Sequence, residues 1–379
     1  MRAALTIVIV SNDVIPEMGL PVSASGMRAT GLAAGLRAHG FDVIITVPRH
    51  RVEQMYRSRP AKTSVPDGSI VLRYNLLRTF LDTIRPIATI ICNSNYFHEI
   101  SGAATGKLIF DFFAPKYLEA EAEGQGPDSL LALSERKRAA LGAAHAVIVN
   151  GDKKLDYVRD WLRSSNPSGS EVPIALANMC YKWPRREVEP KAGAFSIVVA
   201  GYYQRWLDYG ETFSELARAL DAIPELGLTL LVPRLNDEII GTIPGLAACV
   251  AHPRTRVRRT MLLADYLRLL QANDIFVDVF RPTEERRLAM VTRSVVGLGV
   301  GVPVVHPDFT EVSRIIGRTA SGWLLDEAGT TTLYDLLCRL SQDPAEVAAR
   351  ALAARSLGST EFDPAIATRP LAELIGELL

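Results

Sequence analysis

The sequence predicts an α/β chain built from two doubly wound domains facing a cleft, and three observations predict it. Short, continuous, β-branched apolar runs alternate with amphipathic stretches. That alternation fades across residues 178–194 and restarts at 195. The length of 379 residues suits two domains at roughly 100–200 residues each.

The elements follow in order. Residues 5–10 read as a first buried strand, and residues 26–39 as a helix ended by Gly40. Further strands are expected at 43–47, 70–72, 89–92, 108–111 and 146–149. Continuous apolar strands suit a parallel sheet covered on both faces, and strand–helix alternation suits a Rossmann-like winding. Residues 178–194, with Pro184, Pro190, Lys182, Arg185, Arg186 and Lys191, read as an interdomain linker. Beyond it, strands are expected at 195–200, 228–232, 275–280 and 302–305, and helices at 210–222, 262–272, 285–298 and 310–316. The tail, 364–379, reads as one amphipathic helix. The domains are accordingly 1–180 and 195–355, with a C-terminal helix in 356–379 that returns to the first domain. Ligands of such sheets bind at the carboxyl ends of the strands.

Composition narrows the function. Lysine and arginine number 42 against 42 acids, so no general field draws nucleic acid. Cys92, Cys180, Cys249 and Cys338 are far apart and form no zinc-ligand spacing, which suits reduced, buried thiols in a cytoplasmic protein. Residues 3–10 follow Arg2 but lead straight into Ser-Asn-Asp without a small-residue cleavage site, so a strand is expected there and not a signal peptide. No apolar run approaches the roughly 18 residues that span a bilayer. Peripheral contact with the inner membrane face through surface side chains stays open.

Three stretches are placed to carry chemistry. The loop 11–26 is long for a strand–helix connection and holds Gly19, Pro21 and Gly26 just before a helix, where backbone can approach an anion. After the strand 195–200 come Gly201, Arg205, Trp206 and Asp208. Arg205 suits a phosphate and equally a solvated loop; Trp206 suits a stacked base and equally packing. After the strand 275–280, Glu284 and Glu285 open a helix, where carboxylates complement the dipole. Arg293, eight residues after Glu285, shares its helical face; as a surface ion pair it would contribute little. Gly297, Gly299 and Gly301 then cluster, and Asp308 with Glu311 reads as a capping box. His98 follows a strand and is placed to face the cleft. None of the six histidines forms a recognisable ligand pair, and neither a P-loop nor a GxSxG element is present.

The stretch 285–305, Glu-Arg-Arg-Leu-Ala-Met-Val-Thr-Arg-Ser-Val-Val-Gly-Leu-Gly-Val-Gly-Val-Pro-Val-Val, resembles the donor-site signature of GT4-type (group 1) glycosyltransferases of the GT-B fold. Gly201 to Asp208 resembles the glycine loop of one bacterial branch, residues 16–36 its N-terminal glycine loop and helix, and 109–119 its Asp111…Pro115…Glu119 segment. The resemblance implies Glu285 by the donor sugar, Thr292 and Arg293 in the donor-side motif with Arg293 near a diphosphate, and the loop from Gly19 to Gly26 facing the donor phosphates. His98, Asp111 and Glu119 become acceptor-side residues. The implied activity is retaining, metal-independent transfer from a nucleotide-sugar, a co-substrate and not a cofactor, to a glycan, a lipid-linked glycan or a small molecule. This chain departs from the pattern at Val296, where an acid that meets ribose hydroxyls is expected. That departure keeps two alternatives in view, a non-catalytic GT-B binding or scaffold protein and a nucleotide-sugar epimerase.

Overall fold

The computed structural model describes residues 5–58, 62–165, 171–184, 195–201, 207–232 and 237–379. The chain divides into two compact units, Met1–Lys182 with Glu361–Leu379, and Trp183–Thr360.

The first unit is a parallel sheet of β1 (Thr6–Val10), β2 (Asp42–Pro48), β3 (Ser69–Leu72), β4 (Ala88–Cys92), β5 (Lys107–Phe112), β6 (Ala146–Val149) and β7 (Ile174–Leu176), in the order β3-β2-β1-β4-β5-β6-β7. Ile7 pairs with Val43 on one side and Ala88 on the other. Period-2 alternation sends Ile7 and Ile9 into one core with Leu32 and Leu36 of the helix Ala24–Ala38. Val8 and Val10 enter a second core with Leu77 and Leu81. Both faces are covered, which is why the strands are apolar throughout.

The helix Ala24–Ala38 is tied down by Arg28, whose side chain is completely buried. Its Nε and Nη2 donate to Asp111 Oδ2 and Oδ1 at 3.0 and 2.9 Å, and its Nη1 donates to the carbonyls of Ala177 and Asn178 at 2.7 and 2.9 Å. A buried guanidinium is tolerated only when its donors are used in this way.

The second unit is a parallel sheet of β8 (Phe195–Ala200), β9 (Leu226–Leu231), β10 (Thr255–Arg258), β11 (Ile275–Val277), β12 (Val304–Pro307) and β13 (Gly322–Leu325), ordered β10-β9-β8-β11-β12-β13. Strand order therefore reverses between β1 and β4 in the first sheet and between β8 and β11 in the second.

Several expectations are corrected. The single helix expected over 285–298 is two, Glu284–Arg287 and Thr292–Gly299. Ala289, Met290 and Val291 between them are buried as an irregular segment. Their apolar side chains continue a helical periodicity in sequence while the backbone leaves the helix to fill the core. Asp308 does not cap the next helix, Glu311–Thr319; Thr310 does, accepting from the Ser313 N–H. The tail is two helices, Pro364–Ala367 and Arg369–Leu378, because Pro370 has no N–H to continue the first. Leu371, Leu374 and Ile375 join the core of the first unit. The second unit runs on to Thr360, so a boundary at 355 falls within the helix Pro344–Leu357. Strands β7, β10 and β13 were not expected from the sequence. Among the described residues, no helix is long and apolar enough to cross a membrane.

In the first unit, Lys137 on the helix Pro127–Ala143 is only 3% exposed. Its Nζ lies 4.2 Å from the Trp161 ring centre, 5.0 Å from that of Phe112 and 5.9 Å from that of Tyr117. One side chain thus joins the end of β5 to the helices Lys116–Ala122 and Lys154–Ser165. Burial pushes its pKa down to about 7, against the opposing pull of Glu119. An unfolded lysine titrates near pH 10.4, so between about pH 7 and 10 the unfolded chain holds this proton more tightly than the folded one. Stability therefore rises with pH across that window and is lost as pH falls through it. Lys137→Met is expected to flatten this rise and to raise the unfolding midpoint at pH 7, as measured by urea denaturation at a series of pH values.

Candidate functional site

The carboxyl ends of β8 and β11, where the second sheet reverses its strand order, bring together a buried polar cluster. Gly201 directly follows β8 and Asp278 directly follows β11. Asp278 is 3% exposed. Its Oδ1 accepts from Arg293 Nε at 2.6 Å, and its Oδ2 accepts from the Ser294 hydroxyl. Ser294 Oγ lies 3.1 Å from His306 Nδ1, and His306 Nε2 lies 2.8 Å from Thr310 Oγ1.

Burial pushes the His306 pKa down to about 4, although Asp278 pulls it upward. The imidazole is therefore neutral near pH 7, and the network assigns its tautomer. Since Ser294 gives its proton to Asp278, His306 Nδ1–H donates to Ser294 and Nε2 accepts from Thr310. A chain of hydrogen bonds runs from the Thr310 helix cap to the carboxylate that holds Arg293.

Burial opposes the charge on Arg293, but Asp278 and Tyr209 hold its pKa above the ordinary arginine range. Nε is taken by Asp278, and Tyr209 hydrogen-bonds the same guanidinium. Nη2 is buried and has no hydrogen-bond partner among the described residues. An unsatisfied, charged N–H donor of this kind costs free energy until an acceptor reaches it. Gly201 borders the same guanidinium. A Cβ there would stand 2.4 Å from Arg293 Nη1, and its backbone lies at φ +153°. With Nε pinned by Asp278, Arg293 has little freedom to withdraw, so only glycine leaves the space beside it open.

Glu285 is 3% exposed. Arg286 Nη2 donates to Glu285 Oε1 at 2.5 Å, and Nε donates to the other oxygen. The Arg286 and Arg293 guanidinium carbons lie 5.6 and 5.7 Å from the centre of the Phe280 ring. Glu285 and Arg293 are thus gathered about Phe280, and not by a shared helical face: Arg293 pairs with Asp278. Thr292 opens the helix Thr292–Gly299, its side chain half-buried. Asp208 turns inward on its own loop, accepting from the Gly210 N–H at 2.8 Å and lying 3.6 Å from Arg281. Arg205 and Trp206 lie outside the described residues. Val296 is buried; the position where an acid was expected is packed in the core.

In the first unit, Asp111 is not free for a ligand, because Arg28 takes both its oxygens and burial is complete. Glu119 pairs with Lys116 at 2.5 Å. His98 is largely exposed and pairs with Glu99 at 3.0 Å. Gly19 ends the 3-10 turn Pro16–Met18 in a left-handed conformation. Gly26 is where the preceding loop packs on its helix: a Cβ would meet the Val14 carbonyl at 1.9 Å.

Sequence reasoning missed Asp278, Ser294 and Tyr209 and passed over His306. The signal lay in Ile275-Phe-Val-Asp, where an acid ends an apolar run. Extending that strand to 280 concealed it.

No protein-family model matches the chain. A stretch of 81 residues is 41% identical to the amylovoran biosynthesis glycosyltransferase AmsK of Erwinia amylovora, covering 21% of this chain and 20% of that protein. The match therefore spans about a fifth of the relative's length. Among solved structures, sucrose-phosphate synthase from Thermosynechococcus elongatus superposes with a TM-score of 0.70 at 14% identity, covering 98% of each chain. HepE from Anabaena, solved with UDP and glucose, superposes at 0.67 and 14%, covering 98% of this chain and 100% of its own. The fold is GT-B, two Rossmann-like units in one chain.

The buried pair sets a test. Asp278→Ala leaves the Arg293 charge uncompensated and is expected to lower stability by about 3–5 kcal/mol. Asp278→Leu combined with Arg293→Met is expected to recover most of that loss, in denaturant titrations of the full chain.

Proposed function

We propose that this protein transfers a glycosyl group from a nucleoside-diphosphate sugar to a glycan, lipid-linked or small-molecule acceptor, with the second unit holding the donor. The observation that carries this reading is the buried Nη2 of Arg293, which has no hydrogen-bond partner among the described residues, at the switch point of the second sheet. A diphosphate oxygen is the acceptor that such a group lacks, and open α/β sheets bind their ligands at this position. The likeness to AmsK over 81 residues and to HepE, solved with UDP and glucose, supports the same class of donor.

The chemistry follows from the charges. The bond from the anomeric carbon to the diphosphate breaks, negative charge grows on the departing diphosphate, and a bond from that carbon to an acceptor hydroxyl oxygen forms as the hydroxyl proton passes to that diphosphate. Arg293 is fixed in advance by Asp278, so its charge meets that growth without reorganising. Gly201 keeps the backbone close to the same place. Glu285, steadied by Arg286, is assigned to the donor sugar. Transfer with retention and without a metal is part of the proposal and rests on the resemblance in residues 285–305.

Two measurements test it. Nucleoside diphosphates are expected to raise the thermal midpoint of the wild-type chain by mass action. Arg293→Ala is expected to weaken that binding about tenfold to a hundredfold, the worth of a hydrogen bond to a charged group. Glu285→Gln is expected to retain nucleotide binding and lose turnover. A wild-type chain that binds no nucleoside diphosphate overturns the proposal, and wild-type turnover in Glu285→Gln overturns the role of that residue.

A further inference from the structure

A second concavity lies on a lateral face of the second unit, away from the carboxyl ends of β8 and β11. It is a groove of about 420 Å³ whose lining includes Ser196, Gly227, Thr229, Arg256, Arg258 and Asn273. That size is within the range of ligand sites. Its floor is the sheet itself. Ser196 pairs with Gly227, and Thr229 pairs with Arg256. Ile197, Val199 and Leu230 face the apolar core on the other side; Leu226 and Leu228 belong to that core and also line the groove. The groove begins at the amino ends of β8 and β9, with Phe195 and Leu226, the opposite strand ends from Gly201 and Asp278.

The groove is built for negative charge. Arg256 and Arg258 are exposed on β10, the edge strand of the sheet, and no hydrogen bond or ion pair engages either guanidinium among the described residues. At about 3.3 Å per residue, their Cα atoms stand about 6.6 Å apart on one face. Arg254 also lines the groove but is occupied, donating to the carbonyls of Pro224 and Leu226 at 2.6 and 3.0 Å. Glu225 also lines the groove, and Asp274 accepts from the Ser196 N–H and hydroxyl at 2.8 and 2.7 Å. Gly227 leaves room on the floor: a Cβ there would meet nothing within 4 Å. Bases would want exposed aromatic faces, and Phe195, the one aromatic in the lining, is buried.

We infer that this groove is a binding site for an acidic oligosaccharide, its carboxylates paired with Arg256 and Arg258 and its sugar frame lying over Gly227 and Thr229. The guanidinium fork matches a carboxylate in two parallel hydrogen bonds. The choice of a glycan as the carrier of those carboxylates rests on the proposed glycosyl transfer; the anion preference rests on the groove alone. Holding a charged chain here would keep a growing glycan on the enzyme while the other face does the chemistry.

The test is direct binding to the full chain, without any sugar donor. Labelled oligogalacturonate is titrated by fluorescence polarisation at a series of salt concentrations, with a neutral malto-oligosaccharide, a single-stranded oligonucleotide and inorganic polyphosphate in parallel. Oligogalacturonate is expected to bind, more weakly as salt rises, and the malto-oligosaccharide is not. Arg256→Glu with Arg258→Glu is expected to weaken oligogalacturonate binding at least tenfold and to leave nucleoside-diphosphate binding unchanged. Both positions are exposed, and retained nucleotide binding or an unchanged melting profile reports that the variant is folded. The inference is overturned if wild type does not bind oligogalacturonate, if the double variant binds it equally, or if the oligonucleotide or polyphosphate binds more tightly. Failure of the proposed transfer reads out separately, as absent nucleotide binding.

Discussion

The buried carboxylate of Asp278 is the constraint on which the second unit is organised. A charge at 3% exposure stays in the fold only if its oxygens are used. Arg293 and Ser294 use them, and those two residues are neighbours on one helix. The helix is therefore held against the end of β11 at a fixed rotation. His306 and Thr310 extend the bonding to β12 and the helix after it. Four elements are aligned by one chain of polar contacts, and the apolar core closes around them. The result is a guanidinium that is rigid on one edge and still has a donor to offer on the other.

The first unit repeats the device with a different outcome. Arg28 and Asp111 join the first long helix to β5, and the remaining donors of Arg28 go to the chain just before the second unit begins. Every nitrogen of that guanidinium is engaged. Two buried arginine–aspartate pairs in the two sheets thus serve different ends. One is closed; the other leaves Nη2 of its arginine without a partner among the described residues.

Much of the fold was legible in the sequence. Ala146–Val149 and Phe195–Ala200 are continuous apolar runs that only a doubly covered parallel strand explains, and both fall where they were expected. Strand β10 was not legible, because Thr-Arg-Val-Arg has the alternation of a half-exposed edge and little apolar content. The site was legible in part. Glu285 and Arg293 were found by resemblance, but their relation was misread, since helical spacing assumed a continuous helix through Ala289–Met290–Val291. Asp278 was hidden because the neighbour that gives it meaning stands fifteen residues away and only the fold brings them together. The pairing of Asp111 was hidden for the same reason, its partner Arg28 lying 83 residues earlier.

The Asp278–Arg293 pair also limits how this region can drift. Domains are stable by only about 5–15 kcal/mol, so losing either partner spends a large share of that margin in one step. Neutral replacement is open mainly to both positions at once, and that double step removes the donor-facing guanidinium as well. Lineages descended from this chain should therefore keep the two residues together, or change them together where the binding of an anion has been given up. Covariation at positions 278 and 293 would then separate relatives that still work on a charged ligand from those that keep only the scaffold.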